Sequence, residues 1–318
     1  MGSVTSSVAL VGCEWLQYDY GPALMPPDRP GSFTIWRYRR LLPVPDGPVR
    51  HPLPVGGTPL LSAPALRRTL GTPRLWIKDE TRSVGLPAAR RLCRRRRPLP
   101  SRRPHVRLAR PQHRRQPGHH RSQETVAFEV WEQLGRRMPD VMIAPVGDGP
   151  TLVALDKGFR ELVSCGLATR QPRLIGVQAE HCQPLVRAWL GEAAEPAELD
   201  PAATVADGIA VVRPAIGDAV LDAMHRGGGG MVAVTDDALL CAVTTLAGKA
   251  GVGAEPAGAA AQAGLEAAIE RGLLNRLETI VLLITGREVK TGGGATNLGR
   301  IALVETLDQV ERVLEDDC

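Results

Sequence analysis

From Asp140 onward the chain falls into repeating blocks. Each has a short apolar run, a glycine-bearing or polar turn, and a stretch whose apolar residues recur at helical spacing. VMIAPV at 141–146 is an apolar run of strand length; GDGPT follows, and LVALDKGFRELV then carries the helical period. LIGVQAE at 174–180, MVAVTDD at 231–237 and TIVLLITG at 279–286 are further strands by the same reading, with helices between them. Thr235 and Asp236 can cap a helix through LLCAVTTLAG, and Pro256 sits at a first-turn position ahead of AGAAAQAGLEAAIE. Upstream, LWIKDE at 75–80 follows a turn at GGTPL and is another short strand. This alternation predicts an α/β fold with a parallel sheet. No repeat of solenoid period interrupts it.

Length and composition keep that picture and bound it. A chain of 318 residues with 43% hydrophobic content can bury a sizeable core, as two lobes or one large α/β domain. No stretch approaches 18 consecutive apolar residues, and residues 1–12 lack the positive flank and apolar centre of a signal peptide. A cytoplasmic protein without membrane contact is expected. The six cysteines (Cys13, Cys93, Cys165, Cys182, Cys241 and Cys318) stand singly with no CxxC pair, which argues against a zinc site or a disulfide framework.

Charge changes the picture more. The net charge is +5, yet residues 82–122 hold fourteen arginines and no lysine, aspartate or glutamate, so subtracting them leaves the remainder at −9. A segment of Arg, Pro, His and Gln cannot bury enough apolar surface to offset its ordering entropy, and it is expected to be poorly ordered. Two origins compete for it. An Arg-rich arm would bind nucleic acid through phosphates, but no aromatic side chain stands between Trp76 and Phe128 to stack a base. A high-GC coding sequence read out of frame across roughly Ser83 to Ser122 gives the same residue bias, and that reading is preferred.

Three features bear chemistry. GDGPT at 147–151 places two glycines between a strand and a helix N-terminus, where free N–H groups and the helix dipole favour an anion such as phosphate; an ordinary tight turn is the plain alternative. TGREVKTGGGATNLG at 285–299 is a second glycine-rich stretch, more in keeping with a flexible loop than with a nucleotide fingerprint. Thr285 ends an apolar strand, at the edge where α/β sheets bind ligands.

Taken together, WRYRRLLPVPDG (36–47), GGTPLL (56–61), LWIKDE (75–80), TVAFEVWEQLG (125–135), PVGDGPTLVALDKGFREL (145–162), PRLIGVQAEHCQPLVRAW (172–189), ATVADGIAV (203–211), EPAGAAAQAGL (255–265) and LLITG (282–286) resemble threonine synthase. That enzyme belongs to the fold-type II pyridoxal-phosphate group, with tryptophan synthase β subunit and threonine dehydratase. ADGIAV also resembles the dehydratases.

The resemblance implies fold-type II architecture: a large domain with a parallel sheet and a small domain, here truncated or disordered. It implies pyridoxal 5'-phosphate as cofactor, a small amino acid as substrate, and conversion of O-phosphohomoserine and water to threonine and phosphate. It assigns the cofactor phosphate to Gly147, Asp148, Gly149, Pro150 and Thr151, and the pyridine nitrogen to Thr285. Pro150 offers no N–H, and Asp148 brings a negative charge to a loop where relatives often have Asn.

In the family a lysine a few residues beyond the KDE strand forms the Schiff base and moves protons. Here that position falls near Ala89 or Arg90, and arginine stays protonated and cannot form an imine. The chain's four lysines are Lys78, Lys157, Lys249 and Lys290, and none matches. The catalytic residue is therefore unassigned, and no metal is expected. The domain reading is an N-terminal extension at 1–55, a family-like segment entering the small domain at 56–82, the basic segment at 83–122, and a large cofactor-phosphate-binding domain at 123–318. The last eighteen residues, with Ile301, Val304, Leu307, Val310 and Leu314 in register, read as a helix for packing or for a homodimer of the kind common in that superfamily. An impaired threonine-synthase-like protein is the preferred reading. A threonine or serine dehydratase, a non-catalytic remnant and an Arg-rich nucleic-acid-binding protein are the alternatives.

Overall fold

The computed structural model describes residues 7–11, 15–19, 33–41, 55–83, 118–192 and 204–287. The reading of 84–117 as poorly ordered or out of frame, the family lysine position at Ala89 or Arg90, Lys290, the GGG stretch and the C-terminal helix lie outside the described residues. Two short strands, β1 (Ser7–Val11) and β2 (Trp15–Asp19), pair as an antiparallel hairpin.

Six further strands build the main sheet. β3 (Leu60–Leu61) is antiparallel to β4 (Leu75–Asp79). β4, β5 (Val141–Pro145), β6 (Arg173–Ala179), β7 (Gly230–Val234) and β8 (Ile280–Ile284) all run parallel. Their order across the sheet is β3-β4-β8-β5-β6-β7. The expected strands all form, ending within a few residues of the predicted bounds. Their continuous apolar character follows from burial on both faces, which parallel sheets with helices on each side require.

Successive residues alternate between two cores. Leu75, Ile77, Val141, Ile143, Ile175, Val177, Ile280 and Leu282 face one helical layer, built from α1 (Pro64–Leu70), α6 (Asp236–Ala250) and α7 (Pro256–Glu270). Met142, Ala144, Leu174, Met231, Val281 and Leu283 face the other, built from α2 (Gly118–Gln133), α3 (Pro150–Ser164), α4 (Pro184–Trp189) and α5 (Gly217–Gly227). α2 begins within the basic segment, at Gly118. It packs closely on α3 because Gly158 has no side chain: a Cβ there would lie 2.7 Å from the Ala127 Cβ. A 3-10 segment, Ile35–Leu41, closes over α2 through Tyr38 against Phe128 and an Arg37–Glu132 ion pair at 2.9 Å.

Local signals set the element ends. Thr235 caps α6 by accepting a hydrogen bond from the Ala238 N–H at 3.2 Å, and Asp236 and Asp237 fill the first turn. Pro256 stands in the first turn of α7, where its missing N–H removes nothing.

Candidate functional site

The C-terminal edge of the parallel strands gathers four segments distant in sequence. At β5, the chain leaves Val146 and turns through Gly147, Asp148 and Gly149 into α3, whose first residue is Pro150. Gly149 is the N-cap at φ 95°, a backbone state that glycine takes without strain, and a Cβ there would fall 2.1 Å from Val220 Cγ2. The first helical bond runs from the Val153 N–H to the Gly149 carbonyl at 3.2 Å. The N–H groups of Thr151 and Leu152 precede it and sit at the positive end of the helix dipole.

Thr285 follows the last residue of β8. Because Val141 pairs with Ile280 in parallel register, continuing the register sets Thr285 level with Val146, beside the start of the glycine turn. The 3-10 turn Asp207–Ile209, from the ADGIAV stretch, packs against Gly147: a Cβ on Gly147 would lie 3.3 Å from both the Gly208 carbonyl oxygen and the Ile209 Cα. That segment is tied down by Asp236, which accepts from the Thr204 hydroxyl at 2.7 Å and the Val205 N–H at 3.0 Å. The α7 N-terminus arrives from the other side, with the Glu255 N–H donating to the Gly286 carbonyl at 3.0 Å. All six residues expected from sequence therefore lie at one sheet edge, Gly147 to Thr151 as one loop and helix turn with Thr285 just past the end of the neighbouring strand.

At the β4 end the same edge is built differently. Lys78 is fully buried, and its ammonium donates to Glu129 Oε2 at 2.6 Å, to the Thr58 carbonyl at 2.7 Å and to Gln133 Oε1 at 3.0 Å. Glu129 Oε1 accepts from the Gly57 N–H at 3.0 Å. Glu80 accepts from the Thr58 hydroxyl and lies 3.9 Å from the ammonium. Burial pushes the Glu80 carboxyl up to about 7, Lys78 opposes that rise, and the negative charge of Glu129 adds to it.

A second polar side chain inside the sheet, Gln178, is fully buried and bonded to Val146, Leu185 and Val186. Neither the Lys78 cluster nor Gln178 was legible as part of the edge from sequence. The only hint was a polar letter inside an apolar strand run. Among the described residues no group of three or more His, Cys, Asp or Glu side chains could hold a metal ion, and no helix is long and apolar enough to cross a membrane. Cys165, Cys182 and Cys241 are free thiols.

A phosphate-bearing ligand fits the β5 half: a helix N-terminus without a side-chain cap, a glycine turn and a hydroxyl one residue past the adjoining strand. An aldehyde that must be attached to an amine does not find one among the described residues. Lys78 is enclosed by its three acceptors, Lys157 lies on α3 against Glu124 and Glu161, and Lys249 is exposed in the last turn of α6.

An α/β chain with a glycine turn leading into a helix N-terminus at this edge defines a class, and comparison with known proteins identifies it. The pyridoxal-phosphate dependent enzyme family model matches residues 100–286, more than half of the chain, which therefore belongs to that family, whose cofactor is pyridoxal phosphate. Among curated proteins the chain is similar to threonine synthases. It is 33% identical to that of Methanocaldococcus jannaschii over 196 residues, covering 61% of this chain and 48% of the relative. It is 36% identical to that of Methanosarcina acetivorans over 168 residues, covering 53% and 42%. It is 37% identical to that of Mycobacterium tuberculosis over 168 residues, covering 53% and 44%. The chain thus spans about half the length of the curated relatives it matches. Among solved structures, the processed form of threonine deaminase isoform 2 from Solanum lycopersicum overlaps 63% of this chain and 50% of its own, with 22% identity and a TM-score of 0.44. Serine racemase of Dictyostelium discoideum overlaps 55% and 52%, with 19% identity and a TM-score of 0.43.

Proposed function

We propose that this chain is a threonine-synthase-like pyridoxal-phosphate-dependent protein that keeps the phosphate-binding half of the family site and lacks its covalent half. The carrying observation is the Val146 to Thr151 turn into α3, which has no side-chain cap and lies at the parallel-strand edge beside Thr285. The loop from Gly147 to Thr151 holds the cofactor phosphate through backbone N–H groups and the α3 dipole. Pro150 contributes no N–H, and Asp148 places a carboxylate near a dianion, so the grip is weaker than a loop with Asn would give. The Thr285 hydroxyl would hydrogen-bond the pyridine nitrogen.

Bound, the group supplies an electron sink for amino-acid chemistry. The family position near Ala89 or Arg90 carries no lysine to move a proton beside it. Catalysis is accordingly impaired, whether the ancestral reaction was conversion of O-phosphohomoserine and water to threonine and phosphate or dehydration of threonine or serine. The ADGIAV turn packed on Gly147 supports the dehydratase as second reading. In domain terms, residues 123–318 are the large cofactor-phosphate-binding domain, 56–82 a family-like segment entering the small domain, 83–122 the basic segment and 1–55 an N-terminal extension. The remaining parts of the proposal are a cytoplasmic location, a homodimer and a small amino-acid ligand.

The test is titration of the full chain with pyridoxal phosphate, followed by borohydride reduction and peptide mapping. Saturable binding without a reduced lysine adduct is expected. Turnover of an amino acid together with a modified peptide carrying Lys78, Lys157, Lys249 or Lys290 would overturn it.

A further inference from the structure

Gln178 is a carboxamide in a place built for apolar side chains. It stands one residue before the end of β6, fully buried, on the sheet face where Leu174 and Met231 pack. An amide there costs free energy unless its polar atoms are matched. They are matched by two segments that no local interaction would bring together. Oε1 accepts from the N–H groups of Leu185 at 2.9 Å and Val186 at 3.2 Å, two of the donors that α4 cannot satisfy within its own first turn. Nε2 donates to the Val146 carbonyl at 3.4 Å.

Val146 is the last residue before the glycine turn. Its own N–H is fixed by the Val177 carbonyl at 2.9 Å, so β6 holds both polar groups of the Val146 backbone, one by its main chain and one by Gln178. The peptide plane joining Val146 to Gly147 is therefore oriented from β6. The direction of that plane sets where the N–H groups of Gly147 and the following turn point.

We propose that Gln178 is the positioning residue of the phosphate loop: by anchoring the Val146 carbonyl to β6 and the start of α4, it aims the backbone donors of residues 147–151 at the bound anion. This rests on the reading of that loop as the phosphate cradle. A group that acts only through orientation should affect a ligand that carries the phosphate and leave unaffected a ligand that lacks it.

The experiment compares binding of pyridoxal phosphate and of pyridoxal to the full chain by equilibrium dialysis, with thermal unfolding recorded alongside. The wild type is expected to prefer the phosphorylated ligand. Gln178→Met keeps the volume and neutrality of the side chain and removes both ends of the bridge. It should cut that preference by about tenfold, the size of one well-placed hydrogen bond, while pyridoxal affinity stays unchanged. A folded Gln178→Met protein with the wild-type preference, or with both affinities lowered in parallel, overturns the proposal. If Gln178→Met does not fold, Gln178→Asn replaces it and is read the same way, since an amide one methylene shorter cannot span Val146 and α4 together. A wild-type chain that binds both ligands equally would remove the phosphate-loop reading itself, and this inference with it.

Discussion

The two halves of one sheet edge handle polarity in opposite ways. At β5 the edge is polar chiefly through its backbone: a glycine turn leads into a helix end that has no side-chain cap. At β4 the edge is polar through charged side chains, yet Lys78, Glu129, Thr58 and Gln133 satisfy one another and leave nothing for a ligand. Open donors make a site and closed ones make a clamp. Lys78 is thus a structural ion that ties β4 to α2.

The sharpest test of that contrast is to break the clamp. Replacing Glu129 with Leu strands a buried ammonium and should lower unfolding free energy by about 3–5 kcal/mol in urea titrations. Pairing it with Lys78→Met should restore much of that loss, because two well-packed apolar groups carry no desolvation cost. If the double variant were no better than Glu129→Leu alone, the two charges would not be acting as a pair. On the open side, Gly149→Ala forces a residue with a Cβ into φ 95° and against Val220. A loss of about 1–3 kcal/mol is expected, with weaker binding of pyridoxal phosphate than of pyridoxal relative to wild type.

The clamp also predicts a pH dependence of definite sign. Glu80 titrates at about 7 in the folded chain against an ordinary value of 4.5. Between those values the folded state holds more proton than the unfolded state, so stability falls as pH rises through the window. Denaturant midpoints measured from pH 4.5 to 7 should show that fall, and Glu80→Gln should flatten it. The smallest effect lies away from both halves. Thr235→Ala removes the α6 cap and should cost about 1 kcal/mol, with no change in ligand preference.

Much of this was legible along the chain. The strands β5 to β8 announce themselves as apolar runs of strand length, and the caps at Thr235 and Pro256 fall where local rules set them. The glycine turn was legible as a strand-to-helix connection because one short segment contains the strand end, the turn and the helix start. β3 was not legible as a separate strand, since two residues, Leu60 and Leu61, carry no period and pair only because Ile77 and Lys78 are there to receive them. The beginning of α2 at Gly118 was hidden by the arginines around it. Its later residues, from Val126 to Leu134, supply the apolar face that packs on the sheet.

The sequence by itself determined the α/β class, the strand positions, the family and the glycine turn between β5 and α3, because each is written in a local period or a short motif. Tertiary structure alone decided that Lys78 is sealed by Glu129, 51 residues away, and that Gln178 reaches Val146 across 32. Burial and hydrogen bonding between distant segments depend on which strands lie side by side. A lysine or a glutamine inside an apolar run does not reveal its partner until the sheet has brought the two together.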